Sequence, residues 1–207
     1  MKVFLDVGAY KGNTLLAVLG PRYGFDVIHC FEPVHRCVRH LHRIAAEHST
    51  PAQRIVINHF GLWNRTGTFT VTRAGTLNGS VMREWHPDST HIEQCTFVRA
   101  SEWVADNLSE RNGEVYMKLN CEGAECDILD DLIDSQLVNL LTVVYIDFDV
   151  RRIPALVHRE FDVRKRIESA QKQYNTRFLF RPDVYDNFRG THVERTRHWL
   201  DLAGARA

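Results

Sequence analysis

Four short groups of residues in this chain have types suited to handling a small ligand. The first is Asp6-Val7-Gly8-Ala9-Tyr10-Lys11-Gly12-Asn13-Thr14, where an apolar segment runs into a glycine-bearing turn. Gly8 and Gly12 let backbone come close to a ligand. The second is Glu32-Pro33, with Glu32 about twenty residues beyond Gly12. At that spacing an acidic side chain accepts hydrogen bonds from ribose hydroxyls. Together the two indicate a nucleoside-bearing cofactor. A dinucleotide needs the close glycine pair of G-x-G-x-x-G to bring its pyrophosphate to a helix N-terminus. This chain offers only Gly8 and Gly12. A cofactor carrying methionine in place of pyrophosphate needs less close approach, which favours S-adenosylmethionine.

The other two groups, Asn120-Cys121-Glu122-Gly123 and Asp147-Phe148-Asp149, carry the candidate chemistry. Methyl transfer from a sulfonium is an in-line displacement in which the protein positions the acceptor oxygen, excludes water and removes a proton. Asp147, Asp149 and Glu122 are the candidate bases, the two aspartates preferred because their strand should end beside the cofactor's reactive end. His59 reads as structural. Asn120, Glu122, Asp147 and Asp149 would together make an oxygen set suited to magnesium. The missing charge at Asn120 weighs against that, and no metal is expected. Trp63, Trp85 and Trp103 are large aromatics of the kind that fill cores. Trp85-His86-Pro87, inside a long loop, is the lid candidate.

The elements that must position these residues alternate. Strands are expected at Lys2 to Val7, Asp26 to Phe31, Arg54 to Phe60, Val115 to Leu119 and Leu140 to Ile146. Helices are expected after a cap at Asn13, over His35 to His48, after a cap at Ser101, and over Ala124 to Leu132. Gly67 to Thr72 and Gln94 to Val98 alternate as half-buried antiparallel strands do, around a loop at Ala74 to Thr90. The pattern predicts an α/β, Rossmann-like, doubly wound and mostly parallel sheet with helices on both faces. Residues 1–150 would form the cofactor-binding core, with a β-hairpin insertion around 62–99. Residues 151–207 would complete the same domain with a helix, a sixth strand near Arg177 to Phe180, and a helix from about His192. Ligands of such sheets sit beyond the carboxyl ends of the strands, where all four groups fall.

Tyr116-Met117-Lys118-Leu119-Asn120-Cys121-Glu122-Gly123-Ala124-Glu125 resembles the K-I-D-x-E-G-x-E signature of the FkbM family of methyltransferases. The turn from Phe4 to Thr14, Phe31-Glu32-Pro33 and the Asn58 to Gly67 segment follow the family's pattern in the family's order, so that the resemblance spans Val3 to Leu132. It implies a class I methyltransferase fold and S-adenosylmethionine-dependent transfer to a hydroxyl of a natural product or sugar. Gly8 and Gly12 would line the methionine and adenosine side, Glu32 would hold the ribose, and Gly61 and Leu62 would lie near adenine. Glu122 would stand by the reacting end. Asp6, Ala9, Tyr10, Asn13, Thr14, Pro33 and Asn120 complete the implied contact set. The family has aspartate where this chain has Asn120, which cannot act as a base.

Composition narrows the alternatives. Lysine plus arginine and aspartate plus glutamate both total 26, so net charge is zero. A nucleic-acid partner, which selects for a basic excess, is not expected. Nor is a nicotinamide oxidoreductase, lacking both the glycine pair and a late Tyr-x-x-x-Lys. A non-catalytic cofactor- or partner-binding relative is the remaining rival. The five cysteines form no C-x-x-C pair and suggest neither zinc nor a disulfide framework. No signal peptide or bilayer-length apolar stretch is read, giving a cytoplasmic expectation without membrane contact. With Met1 directly before the first strand, the C-terminal segment or the second subunit of a homodimer is expected to cover the acceptor site.

Overall fold

The structure is a computed structural model that describes residues 1–48, 50–82, 85–86, 88–109, 112–185 and 188–206. The chain alternates from the start: β1 (Lys2–Val7), α1 (Asn13–Val18), β2 (Val27–Phe31), α2 (His35–His48) and β3 (Arg54–Asn58). An excursion follows, β4 (Gly61–Trp63), β5 (Gly67–Thr72) and β6 (Ile92–Arg99). Alternation then resumes with α3 (Ala100–Leu108), β7 (Glu114–Leu119), α4 (Glu125–Asp134) and β8 (Val143–Ile146). Helix α5 (His158–Gln173), β9 (Arg177–Phe180), the short α6 (Arg181–Tyr185) and α7 (His192–Leu202) complete it.

Six strands pair in the order β3-β2-β1-β7-β8-β9, every neighbour parallel. The sheet is Rossmann-like and doubly wound, with the strand order reversing between β1 and β7. Its central strands are buried on both faces, which is why β1, β2 and β7 read as nearly unbroken apolar runs. On one face Phe4, Ile28 and Tyr116 pack with Leu15, Leu41 and Trp199 of α1, α2 and α7. On the other, Leu5, Phe31 and Met117 pack with Trp103, Ile128 and Ile167 of α3, α4 and α5.

Several boundaries move. The third strand stops at Asn58, and Gly61–Trp63 leaves for a second sheet of order β4-β6-β5. There β5 runs antiparallel to β6 and β4 parallel to it, so the excursion is a three-stranded sheet instead of a bare hairpin. Strand β8 starts at Val143, because Leu137–Leu140 forms a 3-10 turn. Neither expected helix cap serves as one. Gly12, in the left-handed region at φ 91, precedes α1, and Arg99 precedes α3, each without a capping side-chain bond. The capping box lies instead at the start of α7, where Thr191 and Glu194 bond reciprocally. Trp63 and Trp103 are core residues, and all five cysteines are free thiols. Among the described residues no helix is long and apolar enough to cross a membrane.

Candidate functional site

The carboxyl ends of β1, β2, β7 and β8 converge on one cleft, its outer part open to solvent. At the β1–β2 side the chain turns sharply. Gly8 has φ +81, and a Cβ there would sit 1.9 Å from the Asn120 carbonyl oxygen. Only glycine allows the two strand ends to close this tightly. The amides of Gly8 and Ala9 both donate to the Phe31 carbonyl, at 3.2 and 3.1 Å. The Tyr10 amide donates to Glu32 Oε2 at 2.8 Å, and the Val34 amide to Oε1 at 2.9 Å. Glu32 therefore staples the first turn to the second. Burial pushes its carboxyl up to about 7, opposed by those two amides and by Lys118. Each oxygen retains acceptor capacity beyond one N–H bond, and the side chain lines the cleft.

The same bonds bear on the choice of cofactor. Gly12 N donates to the Ala9 carbonyl at 3.0 Å, so the turn's amides at 8, 9, 10 and 12 are all engaged within the protein. Helix α1 has only six residues. A dinucleotide's pyrophosphate relies on close backbone approach at the turn glycines, and here the Gly8 and Gly12 amides are already engaged within the protein.

Lys118 joins the two halves of the cleft. It stands opposite Asp6 in the β1–β7 register. Its Nζ lies 3.0 Å from Asp6 Oδ1 and donates to the Gly8 carbonyl at 2.8 Å. Burial raises the Asp6 carboxyl and Lys118 lowers it. Asp6, fully buried, does not line the cleft. It anchors the lysine that does.

At the β7–β8 side, carboxylates crowd. Asn120 Nδ2 donates to Asp147 Oδ2 at 3.0 Å and to Asp149 Oδ2 at 3.3 Å. Arg181 Nη1 lies 3.1 Å from Asp147 Oδ2, and Arg152 Nη1 lies 3.2 Å from Asp149 Oδ1. An aspartate at position 120 would put a third anion where this chain has a donor for two. That arrangement does not fit magnesium, because an N–H group occupies the seat between the two oxygens a cation would bridge. Among the described residues no group of three or more His, Cys, Asp or Glu is placed to hold a metal.

Glu122 has a left-handed backbone, φ 56, and lines the cleft with its Oε2 buried and, among the described residues, without a hydrogen-bond partner. Burial first, then Asp149 and Glu125, push its carboxyl up to about 9. Glu125 shapes this turn, accepting from the amides of Cys121 and Gly123 at 2.9 and 3.1 Å. Ser80 holds it from the other side, donating to the Glu122 carbonyl at 2.6 Å.

Of the residues singled out from sequence, the cleft gathers Gly8, Ala9, Tyr10, Asn13, Thr14, Glu32, Pro33, Gly61, Leu62, Asn120, Glu122 and Asp147. Gly12 lies outside it: a Cβ there would meet Ile44 at 2.6 Å, so its role is the packing of α1 against α2. Asp149 also lies outside, buried behind Asn120 with its carboxyl pushed up to about 6 by burial and by Asp147. His59 is exposed. Trp85 and His86 do not line the cleft, and Pro87 lies outside the described residues. The loop that does reach over it is Gly75, Thr76, Leu77 and Gly79, closed at its base by the Thr72–Ser80 bridge.

Sequence reasoning missed the far wall: Arg181, His192, Arg195, Thr196 and Trp199. Trp199 stacks on Tyr145 at 5.1 Å. Arg22 of the segment after α1 pairs with Asp201 at 2.7 Å. The C-terminal segment thus supplies part of the cleft's cover. Partial burial, with Arg195, Lys118 and Arg181 nearby, pushes the His192 imidazole down.

No protein-family profile matches the chain, and no curated protein matches it in sequence. Among solved structures it is similar to a crystal structure of the methyltransferase FkbM from Methylobacillus flagellatus KT, with a TM-score of 0.43 and 16% identity. That similarity covers 65% of this chain, which spans only 30% of the other.

Proposed function

We propose that the protein is an S-adenosylmethionine-dependent methyltransferase acting on a hydroxyl of a small-molecule acceptor. The observation that carries this reading is a cleft holding Glu32 for a ribose, a turn whose Gly8 and Gly12 amides are engaged within the protein, and carboxylates at the far end. The cofactor would supply an activated methyl on a sulfonium. Glu32 would accept the ribose hydroxyls, and Gly61 and Leu62 would flank the adenine. Loop residues 75–79 and Trp199 would exclude water from the reacting end.

The remaining task is the proton of the acceptor hydroxyl. Glu122 holds its own proton near neutrality, and Asp149 is behind Asn120. Asp147 is the carboxylate on the cleft wall, oriented by Asn120 and Arg181. It would take that proton as the methyl is transferred, with the His192 imidazole as the other acceptor at this end. Calorimetric titration with S-adenosylmethionine, with NAD as control and with Glu32→Ala as variant, tests the reading. Micromolar binding that the substitution weakens by about a hundredfold, the loss of two hydrogen bonds to a charged group, is the expected result. Binding of NAD alone, or of neither in folded protein, would overturn it.

A further inference from the structure

We infer that Glu122 makes the cleft selective for the charge of its cofactor, holding the cationic donor and letting the neutral product go. This rests on the proposed methyltransferase reading and adds a basis for product release. The geometry is that of an unfinished ion pair. Glu122 lines the cleft on a strained left-handed backbone, with Ser80 fixing its carbonyl and Glu125 fixing the flanking amides. Its buried Oε2 has no hydrogen-bond partner among the described residues. A buried carboxyl oxygen without a partner is costly, and a turn braced on both sides holds it at that cost.

Four charged groups face it. Asp149 from the turn after β8 and Glu125 from α4 repel its negative charge. Arg152, already paired with Asp149, and Lys118, already paired with Asp6, attract it. The carboxylate therefore lacks a positive charge that is not already committed to another anion. A ligand that brings a fixed cation supplies it, and the Glu122 O–H proton leaves to solvent with no bond formed to the ligand. S-adenosylmethionine carries such a charge on sulfur; S-adenosylhomocysteine, the thioether left after transfer, does not. The group that favours loading would then cease to favour retention once the methyl has gone.

The test is titration of the whole protein with S-adenosylmethionine, S-adenosylhomocysteine and sinefungin, whose ammonium stands in place of the sulfonium. It is run from pH 6 to 9 in pairs of buffers with different ionisation heats. The wild type should bind both cationic ligands about tenfold more tightly than the thioether at pH 8, as one partly buried ion pair allows. The preference should grow with pH and be accompanied by release of more protons. In Glu122→Gln both the preference and the extra proton should vanish while thioether affinity stays within about twofold. That comparison subtracts the ligands' own titrations. A Gln variant that retains the preference would overturn the inference. If that variant loses the thioether as well, the wild type decides alone: equal proton counts for charged and neutral ligands would overturn it. Failure of all three ligands to bind would instead sink the methyltransferase reading itself.

Discussion

The two ends of the cleft are built on opposite plans. At the β1–β2 end most of the turn's amides are engaged before a ligand arrives. The amides of Gly8, Ala9, Tyr10 and Gly12 have acceptors, and Glu32 has two amide donors. At the β7–β8 end charge is in excess. Asp147 and Asp149 share one amide donor group, and among the described residues Glu122 is left with a buried oxygen unpartnered. The first end is preorganised for a constant moiety, the second kept polar and under-satisfied where a reaction must move charge. Preorganised groups cost nothing to reorganise when the ligand binds. Under-satisfied ones cost stability in the empty protein. Three substitutions probe that difference.

Asn120→Asp should have the largest effect, because it strikes the point that keeps the under-satisfied end tolerable. It removes the donor shared by Asp147 and Asp149 and adds a third carboxylate beside them. Loss of roughly 2–3 kcal/mol at pH 7 is expected, from two broken charge-assisted bonds and added repulsion. For a domain of this size that is about 5–10 °C in midpoint. The loss should shrink as pH falls below about 6, where Asp149 takes up a proton. Thermal unfolding across pH checks it. An unchanged midpoint would mean that the amide is not what separates the two carboxylates.

Glu32→Gln should cost about 1–2 kcal/mol in the same assay. Glutamine offers one acceptor and one donor, so either the Tyr10 or the Val34 amide would face an NH2 group. The loss should be present without ligand, which separates it from an effect on binding alone. A variant as stable as the wild type would show that the β1–β2 end is less tightly preorganised than its hydrogen bonds imply.

Much of this was legible in the sequence, and the rest was not for definable reasons. Parallel strands buried on both faces appear as short apolar runs, so the six-stranded sheet could be read residue by residue. The three-residue β4 is too short to show any period. Asn13 and Ser101 looked like caps because helix starts favour such side chains, whereas α1 and α3 begin from Gly12 and Arg99 without one. The turn at Gly8 and the carboxylate at Glu32 are local features. His192 and Trp199 reach the cleft only because α7 docks beside α1, a contact between residues some 180 apart, as Arg197 to Ala17 shows, while Arg181 enters from the end of β9. Lys118 did carry a signal: a lysine in a buried strand requires a buried anion, and Asp6 sits at its register position.

Glu122→Gln should have the smallest effect and the opposite sign. A carboxyl whose folded value is raised binds its proton more tightly folded than unfolded. Its contribution is therefore favourable at low pH and is lost as pH rises from about 4.5 to about 9. Glutamine carries no such dependence. The variant and the wild type should melt together near pH 5, and the variant should gain roughly 2–4 °C by pH 8, about 1 kcal/mol. Glu32→Gln loses stability without ligand and Glu122→Gln gains it, although both replace a cleft-lining glutamate by its amide. If the second also lost stability, Glu122 would have a protein partner in solution, and the two ends of the cleft would be built alike.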